Sequence, residues 1–258
     1  MDLRLQGKRA LVTGSSYGIG RAIAQGLAAE GVNVVINARN RERLEATAKE
    51  IGSNVAPIAA DVSDPAEVTR LVREAAEALG GLDILVNSVP APVFGPFLGH
   101  GDDAWHKAME IKFMSYIRTS REAIPYMQQA GGGVIINNIG AGGKAYYTNH
   151  LAGGASNAAL MLVTTGLATE LGPLKIRVVG INAGFVRTGR IEALINNRAR
   201  TEQRDAEAVT QEMVAAIPTG AMATPEDVAD LAVFLASERA RQINGTIVTI
   251  DGGMMRTL

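Results

Sequence analysis

The sequence predicts a single α/β domain built on a doubly wound parallel sheet of about seven strands, with helices on both faces. Three observations support this prediction. Short runs rich in Val and Ile alternate with longer segments of helical period, and most runs are apolar on both faces, as a buried parallel sheet requires. A glycine-rich turn joins the first run to the first helical segment. The length of 258 residues suits one domain of this kind over 1–258.

The elements follow one another in βα order along the chain. The predicted strands are 9–14, 33–38, 55–61, 82–88, 133–139, 176–182 and 246–251. The predicted helices are 18–30, 40–51, 65–79, 102–130, 151–172 and 225–236. Because right-handed crossovers join parallel strands, the carboxyl ends of all strands should meet at one edge of the sheet. The polar, helix-prone segment 188–220 fits either a solvated helical excursion or a substrate lid inserted over that edge.

Composition and charge exclude several classes of function. The net charge of -1 provides no basic field for nucleic acid. The chain has no cysteine, which excludes disulfides, thiolate catalysis and Cys-zinc sites, and no metal site is predicted. The N-terminus lacks the apolar region of a signal peptide, and no continuous apolar run is long enough to span a membrane. We therefore expect a cytoplasmic protein that acts on a small molecule, with no nucleic-acid or membrane partner.

The turn "VTGSSYGIGRAIA" has the composition of a nucleotide-binding site. Its glycines let the chain turn tightly and let backbone N–H groups approach a pyrophosphate at the start of a helix. The serines add hydroxyl donors. The residues of this turn predicted to bind a cofactor are Gly14, Ser15, Ser16, Gly18, Ile19 and Gly20.

The end of the second predicted strand indicates which dinucleotide binds. An acidic side chain there would bind the ribose of NAD(H), but this sequence has Ala38 followed by Arg39. An arginine fork suits the 2′-phosphate of NADP(H). We therefore expect NADP(H) rather than NAD(H).

Together these residues resemble the short-chain dehydrogenase/reductase family over nearly the whole chain. "TGSSYGIG" is similar to the family's glycine motif, and Asp61 with Val62 is similar to its adenine contact. Asn87 matches the first residue of its motif after the fourth strand. Gly184 and Thr188 match a segment after the sixth strand that contacts the nicotinamide. The resemblance implies a Rossmann-type fold, an NADP(H)-dependent oxidoreductase and a homotetramer.

The family's catalytic tetrad is missing. The family reduces carbonyls with Asn, Ser, Tyr and Lys, in which tyrosine is the general acid and lysine lowers the pKa of that tyrosine. Carried over by position, these residues correspond to Lys112, Gly140, Gly153 and Asn157. No Tyr-x3-Lys pattern occurs between 140 and 172. The tyrosine and its lysine are therefore absent rather than displaced.

Other polar residues near this position are candidates for the catalytic role. His150 stands where the enoyl-reductase branch of the family has its tyrosine, since that branch leaves six residues between its tyrosine and the lysine position, which is Asn157 here. It could act as an acid or base near neutral pH, or be a histidine at the pocket edge. The loop before the helix supplies Lys144 and Tyr146, and Asn157 completes the predicted catalytic set. Gly140, Gly153 and Gly154 together suggest an enlarged pocket.

The lid segment contains several arginines for which two interpretations stay open. Arg187 or Arg190, just after the sixth strand, could bind a carboxylate or phosphate. Alternatively, these arginines and the neighbouring acidic residues form ordinary helical charge pairs.

Three functions therefore remain open at the level of sequence. The first is an NADP(H)-dependent oxidoreductase with a non-standard proton-transfer site, acting on a small carbonyl compound, enone or alcohol. The second is a non-redox lyase or hydrolase that uses the same pocket. The third is a catalytically silent nucleotide-binding subunit.

Overall fold

Seven parallel strands form one sheet in the order β3-β2-β1-β4-β5-β6-β7 in the computed structural model, which describes residues 1–255. The strands are β1 Arg9–Thr13, β2 Asn33–Ala38, β3 Val55–Ala59, β4 Ile84–Asn87, β5 Gly133–Asn138, β6 Ile176–Ala183 and β7 Ile247–Ile250. The strand order reverses between β1 and β4, which is where ligands bind in open α/β sheets. The predicted fold class is confirmed.

Nine α-helices in the described chain flank this sheet. They are α1 Gly18–Ala29, α2 Arg41–Ile51, α3 Pro65–Leu79, α4 Asp102–Ala108, α5 Ser115–Gln129, α6 Leu151–Leu171, α7 Gly189–Glu202, α8 Ala206–Ala215 and α9 Pro225–Ala236. The helix predicted over 102–130 forms α4, a π-helical stretch over Met109–Met114 and α5, which follow one another without an interruption.

Each face of the sheet has its own apolar core. In β1, Ala10 and Val12 pack with α1, α2 and α9, whereas Leu11 packs with α3, α5 and α6 on the opposite face. This is the alternation expected of a strand whose successive side chains point to opposite faces. Burial on both faces explains why the strand sequences are apolar runs.

The segment predicted as a lid forms α7 and α8. Ile191 and Ile195 of α7 pack with Val209 and Met213 of α8 in a separate apolar cluster. Two arginines and two glutamates form ion pairs between or beside the helices: Arg198, Glu202, Arg204 and Glu212. The segment is thus an ordered helical pair, with α7 beginning at the carboxyl end of β6.

Helix α6 is the most apolar long helix of the described chain. By length and composition alone, Leu151–Leu174 could cross a membrane. One side of it packs on the protein through Ala152, Leu160 and Ala168, which are buried. Packing of this kind accounts for the apolar composition of a core helix.

Candidate active site

The turn between β1 and α1 is built so that only glycine fits. Gly14 has φ +64°, and a β-carbon there would lie 2.6 Å from the carbonyl oxygen of Ser88. A β-carbon on Gly20 would overlap the carbonyl oxygen of Gly14. Tyr17, the N-cap of α1, makes no side-chain bond to the first helical N–H groups. This close-packed cradle with open N–H groups fits a pyrophosphate.

The two serines of this turn have different positions. Ser15 is fully buried, and its hydroxyl donates to the carbonyl of Val12 at 2.7 Å while accepting from the backbone N–H of Asn37 at 2.9 Å. Its role is therefore to tie the turn to β1 and β2, which corrects the expectation that it donates to a cofactor phosphate. Ser16 follows it, and its carbonyl accepts from the hydroxyl of Thr47 at 3.1 Å.

Arg39 extends from the end of β2 into solvent. Its side chain is 76% exposed, and its Nη1 lies 3.9 Å from Oδ2 of Asp61. The other oxygen of Asp61 accepts from the backbone and hydroxyl of Ser63, and Val62 beside it is buried. The head of Arg39 thus stands at the rim of the glycine-rich turn with only a loose ion pair, a position that fits a 2′-phosphate.

The remaining predicted cofactor residues divide between core and rim. Asn87 is fully buried and bonds Thr119 Oγ1 at 2.7 Å and Asn137 Oδ1 at 3.0 Å, so it braces the sheet instead of facing a ligand. Ile19 packs against the core. Thr188 lies at the start of α7, with its methyl group 3.6 Å from the β-carbon position of Gly18.

Gly184 shows why the end of β6 is close to the C-terminal segment. A β-carbon there would lie 2.7 Å from Cβ of Asp251, and its N–H donates to Ile250 at 2.9 Å. Its bare backbone lets β6 and the chain after β7 meet at the carboxyl edge of the sheet.

His150 is the N-terminal flanking residue of α6, and its imidazole lies over Gly153. A β-carbon on Gly153 would overlap three atoms of the ring. The ring therefore occupies the space in which a side chain at 153 would begin. Glycine is required at 153 if His150 is to hold this position.

The hydrogen bond of His150 fixes which nitrogen faces the site. Nδ1 lies 3.0 Å from the carbonyl oxygen of Val93. A carbonyl oxygen only accepts a hydrogen bond, so Nδ1 carries a proton. Nε2 is therefore the nitrogen that gains or loses a proton when the ring titrates. Burial lowers the pKa of His150 from its ordinary value of 6.5, the bond to Val93 opposes this, and the charges of Arg190 and Lys112 lower it further.

Phe94 contacts both His150 and the first turn of α7. The rings of Phe94 and His150 stack with centroids 4.2 Å apart and planes 14° apart. The Arg190 guanidinium lies 4.8 Å from the centroid of Phe94, and its Nη2 donates to the carbonyl of Ala91 at 2.7 Å. The segment after β4 thus touches both the first turn of α7 and the start of α6.

The glycine-rich loop after β5 is packed against α6. A β-carbon on Gly154 would lie 2.8 Å from the carbonyl oxygen of Gly142, and one on Gly143 would lie 2.9 Å from the backbone of Asn157 and Ala158. The expectation that the glycines enlarge the pocket was wrong. Close backbone approach takes up the space beside Gly143 and Gly154, and the ring of His150 takes up the space beside Gly153.

Asn157 is buried within this contact. Its Nδ2 lies 3.4 Å from the β-carbon position of Gly140, and its Oδ1 has no hydrogen-bond partner among residues 1–255. A buried amide oxygen without a partner is costly, which fits acceptance of a hydroxyl or water at this edge.

Lys112 and Tyr116 form a buried pair on the neighbouring helical segment. Lys112 Nζ lies 2.6 Å from Tyr116 Oη, 2.9 Å from Val89 O and 2.8 Å from Asn138 O. Tyr116 Oη itself donates to Asn138 O at 2.7 Å. Burial lowers the pKa of Lys112 well below 10.5 and raises that of Tyr116 well above 10.0. The pair joins the carboxyl ends of β4 and β5.

A cavity of about 350 Å³ brings several predicted catalytic residues together. Lys144, Tyr146, Tyr147 and His150 line it, with Gly142 and Gly154 on its wall. Tyr146 is 83% exposed, and Lys144 is exposed beside Thr249. Tyr147 is half-buried, which raises its pKa. No group of three or more metal-ligating side chains occurs within residues 1–255.

Comparisons with known proteins agree with this geometry. A family model described as enoyl-(acyl carrier protein) reductase matches residues 14–255. The D-beta-hydroxybutyrate dehydrogenase of Cupriavidus necator is 34% identical over 253 residues, covering 96% of this chain and 98% of that protein. Dehydrogenase/reductase SDR family member 4 of Sus scrofa is 32% identical and covers 96% of this chain and 88% of its own length.

A solved structure shares the whole architecture. L-sorbose reductase from Gluconobacter frateurii, complexed with NADPH and L-sorbose, has a TM-score of 0.95 at 34% identity, and each chain covers 100% of the other. The chain belongs to the short-chain dehydrogenase/reductase family. It is therefore an oxidoreductase-type fold with a nicotinamide-nucleotide site.

Within this short-chain dehydrogenase/reductase, two features of the site were missed from sequence. The Lys-x3-Tyr spacing of Lys112 and Tyr116 is a signal for a contacting pair one helical turn apart, in addition to the loss of asparagine at position 112. The overlap of His150 with Gly153 depends on the path of the chain at the start of α6. Spacing along the sequence carries no information on that ring orientation.

Proposed function

We propose that this chain is an NADP(H)-dependent oxidoreductase that interconverts a small organic carbonyl compound and its alcohol, with His150 as proton donor and acceptor. The observation that carries the proposal is the imidazole ring standing over Gly153, where the family has its tyrosine. An acid–base group held at that point is what a carbonyl-reducing site requires.

The chain's own residues provide binding and proton transfer. When bound, the nicotinamide supplies or accepts the hydride at the substrate carbon. Backbone N–H groups of the glycine-rich turn hold the pyrophosphate, and Arg39 binds the 2′-phosphate. In reduction, His150 Nε2–H gives its proton to the carbonyl oxygen as the hydride reaches the carbonyl carbon, which leaves neutral imidazole and an alcohol. In oxidation, neutral Nε2 accepts the hydroxyl proton.

The hydrogen bond from Nδ1 to Val93 supports this assignment. It holds the ring in one tautomer through the cycle, so that only Nε2 changes its protonation. The Asn157 Oδ1, which lacks a partner in the described chain, would accept a hydroxyl group of the cofactor ribose or a water that resupplies the proton.

Two further assignments belong to this proposal. The paired helices α7 and α8 act as the lid over the substrate. The protein is a homotetramer that uses α5 and α6 as contact surfaces, which the exposed apolar side of α6 supports. The cofactor preference rests on Arg39 and on the NADPH bound in the L-sorbose reductase structure.

The proposal is tested by cofactor binding followed by single-turnover kinetics. Titration of the purified protein with NADPH, followed by its fluorescence, should give saturable binding that is tighter than that of NADH. Stopped-flow oxidation of bound NADPH should then occur with carbonyl compounds. No NADPH binding at millimolar concentration, or binding with no oxidation across ketones, aldehydes and enones, would refute the proposal.

A pair of arginine variants tests the cofactor assignment. Arg39→Ala should weaken NADPH binding on the order of tenfold to a hundredfold while leaving NADH nearly unchanged, because only NADPH carries the 2′-phosphate. Arg41→Ala is the matched control, since Arg41 forms a helical ion pair with Glu45 at 3.7 Å. Equal weakening by both variants would contradict the role of Arg39.

A further inference from the structure

Arg190 carries a positive charge that no acidic side chain of the described residues balances. Arg190, Lys112 and His150 lie close enough for their charges to affect one another. Within residues 1–255 none of the three is in an ion pair with a carboxylate. Further along the same lid, Arg198 and Arg204 are paired with glutamates. A partly buried cation is usually paired with an anionic group. The arrangement therefore points to an anion from outside the chain.

Arg190 is the member of this group that can reach a ligand. Lys112 is 2% exposed, and its ammonium already has three oxygen neighbours. Arg190 is half-buried, and Ala91 O is its one hydrogen-bond acceptor in the described chain. A guanidinium has five N–H donors, so a planar edge remains available for a bidentate partner.

The position of Arg190 also sets the distance between the anion and the reacting group. Its Cζ lies 4.8 Å from the centroid of Phe94, which stacks on His150 at 4.2 Å. The guanidinium of Arg190 and the imidazole of His150 therefore both contact the ring of Phe94. A substrate that touches both has its charged group only a few bonds from its carbonyl.

We propose that Arg190 selects substrates that carry a carboxylate within a few bonds of the reacting carbonyl, such as short 2-oxo or 3-oxo acids and the corresponding hydroxy acids. This rests on the proposed function, because it assigns the substrate class of the same site. The carboxylate binds the free edge of Arg190, while the carbonyl oxygen faces Nε2 of His150. Phe94 keeps the two contacts in a fixed relation.

The first experiment compares acids with their neutral esters. Pyruvate and acetoacetate are tested against methyl pyruvate and methyl acetoacetate, with NADPH bound. The wild-type chain should reduce an acid with a kcat/KM at least on the order of tenfold above its ester. Arg190→Gln should lower the value for the acid by about 30- to 100-fold and leave that for the ester nearly unchanged, because only the acid loses a charged partner.

Two variants control for charge and shape. Arg187→Gln removes the same charge from an exposed residue of the same segment and should keep the preference for the acid. Arg190→Lys should restore part of the loss, since a point charge replaces the fork. Equal rates for acid and ester in the wild-type chain would overturn the inference while leaving the proposed function intact.

A binding measurement separates the inference from catalysis. Oxamate and the neutral oxamide serve as probes, and the chain's three histidines permit the ring signal of His150 to be followed by NMR. With NADP⁺ present, oxamate should shift the His150 signal at concentrations at which oxamide does not, and Arg190→Gln should abolish that shift. If no carbonyl compound is reduced but this result holds, the anion site stands and the proposed function fails.

The cofactor is the other source of an anionic group. If Arg190 instead held a phosphate of NADPH, Arg190→Gln would weaken NADPH binding by tenfold or more and would not discriminate acid from ester. That result would overturn the assignment to the substrate. We expect NADPH binding by this variant to match that of the wild-type chain.

Discussion

The imidazole of His150 fills the space beside Gly153, although His150 is three residues away in the sequence. The ring reaches back from the residue before α6 and lies where a side chain at 153 would start. The candidate could be named from the sequence because a histidine three residues before Gly153 falls near the same helix face. Its contacts could not, because they depend on Val93 and Phe94, which lie more than fifty residues away.

The depressed pKa of His150 predicts opposite pH profiles for the two directions of reaction. Reduction needs protonated imidazole, so its rate should fall as the pH rises through a pKa below 6.5. Oxidation needs neutral imidazole, so its rate should rise over the same range and be level by neutral pH. Single-turnover rates between pH 5 and pH 8 in both directions check this. Rates that stay constant between pH 5 and pH 8 in both directions would contradict the role of His150.

Lys112 predicts a pH-dependent stability effect. Replacing this buried cation by methionine in Lys112→Met should raise the free energy of unfolding at pH 7 by about 1–3 kcal/mol, because no carboxylate offsets the desolvation of the ammonium. The acceptors Val89 O and Asn138 O remain within reach of Tyr116 Oη.

The sign of the pH effect follows from the lowered pKa of Lys112. Between that pKa and 10.5, the unfolded chain binds more protons than the folded chain, so wild-type stability rises with pH. The advantage of Lys112→Met should therefore shrink between pH 7 and pH 9, as measured by urea unfolding. An advantage that stays constant or grows with pH would contradict a depressed pKa.

At the scale of elements, periodicity and turn chemistry predicted most of the fold. The strands lie within a few residues of their predicted limits, because apolar runs in a sheet buried on both faces leave little ambiguity. The change to a π-helix between α4 and α5 was not predictable from local pattern. The π-helical stretch around Lys112 places that side chain on carbonyls of β4 and β5, which is a tertiary contact.

Helix α6 offers a matched test of the packed glycines. Gly154→Ala should destabilise the protein by about 1–3 kcal/mol, because its β-carbon would lie 2.8 Å from a backbone oxygen of the loop at Gly142. Gly166→Ala lies on the same helix with nothing within 4 Å of the β-carbon, and should stabilise it by about 0.5–1 kcal/mol. The midpoints of thermal unfolding of both variants check the pair. Equal shifts of the two midpoints would mean that the loop is not packed on α6 at residue 154.

At the scale of the whole molecule, the outer side of α6 is the best candidate for contact between subunits. Leu162 is 76% exposed, and the exposed positions 155, 158 and 162 follow the spacing of one helix face. An apolar face of this kind on a long helix indicates an interaction surface. Composition indicated this helix, but whether its apolar residues serve the core or a surface required the fold.

The tetramer can be tested by charge at this surface. Leu162→Lys should shift the protein from a tetramer to smaller species in sedimentation velocity, because a buried lysine without a partner opposes association. Lysine at Thr169, exposed on the same helix, is a control for added charge and should have a smaller effect. A wild-type monomer would contradict the proposed assembly.

The proposed function depends on proton transfer by His150. The most direct measurement is the single-turnover rate of NADPH oxidation by His150→Gln at saturating cofactor and substrate. We expect a rate lower by about 10²–10⁴-fold with unchanged NADPH affinity, because glutamine fills similar space but transfers no proton at neutral pH. A rate equal to that of the wild-type chain would contradict it.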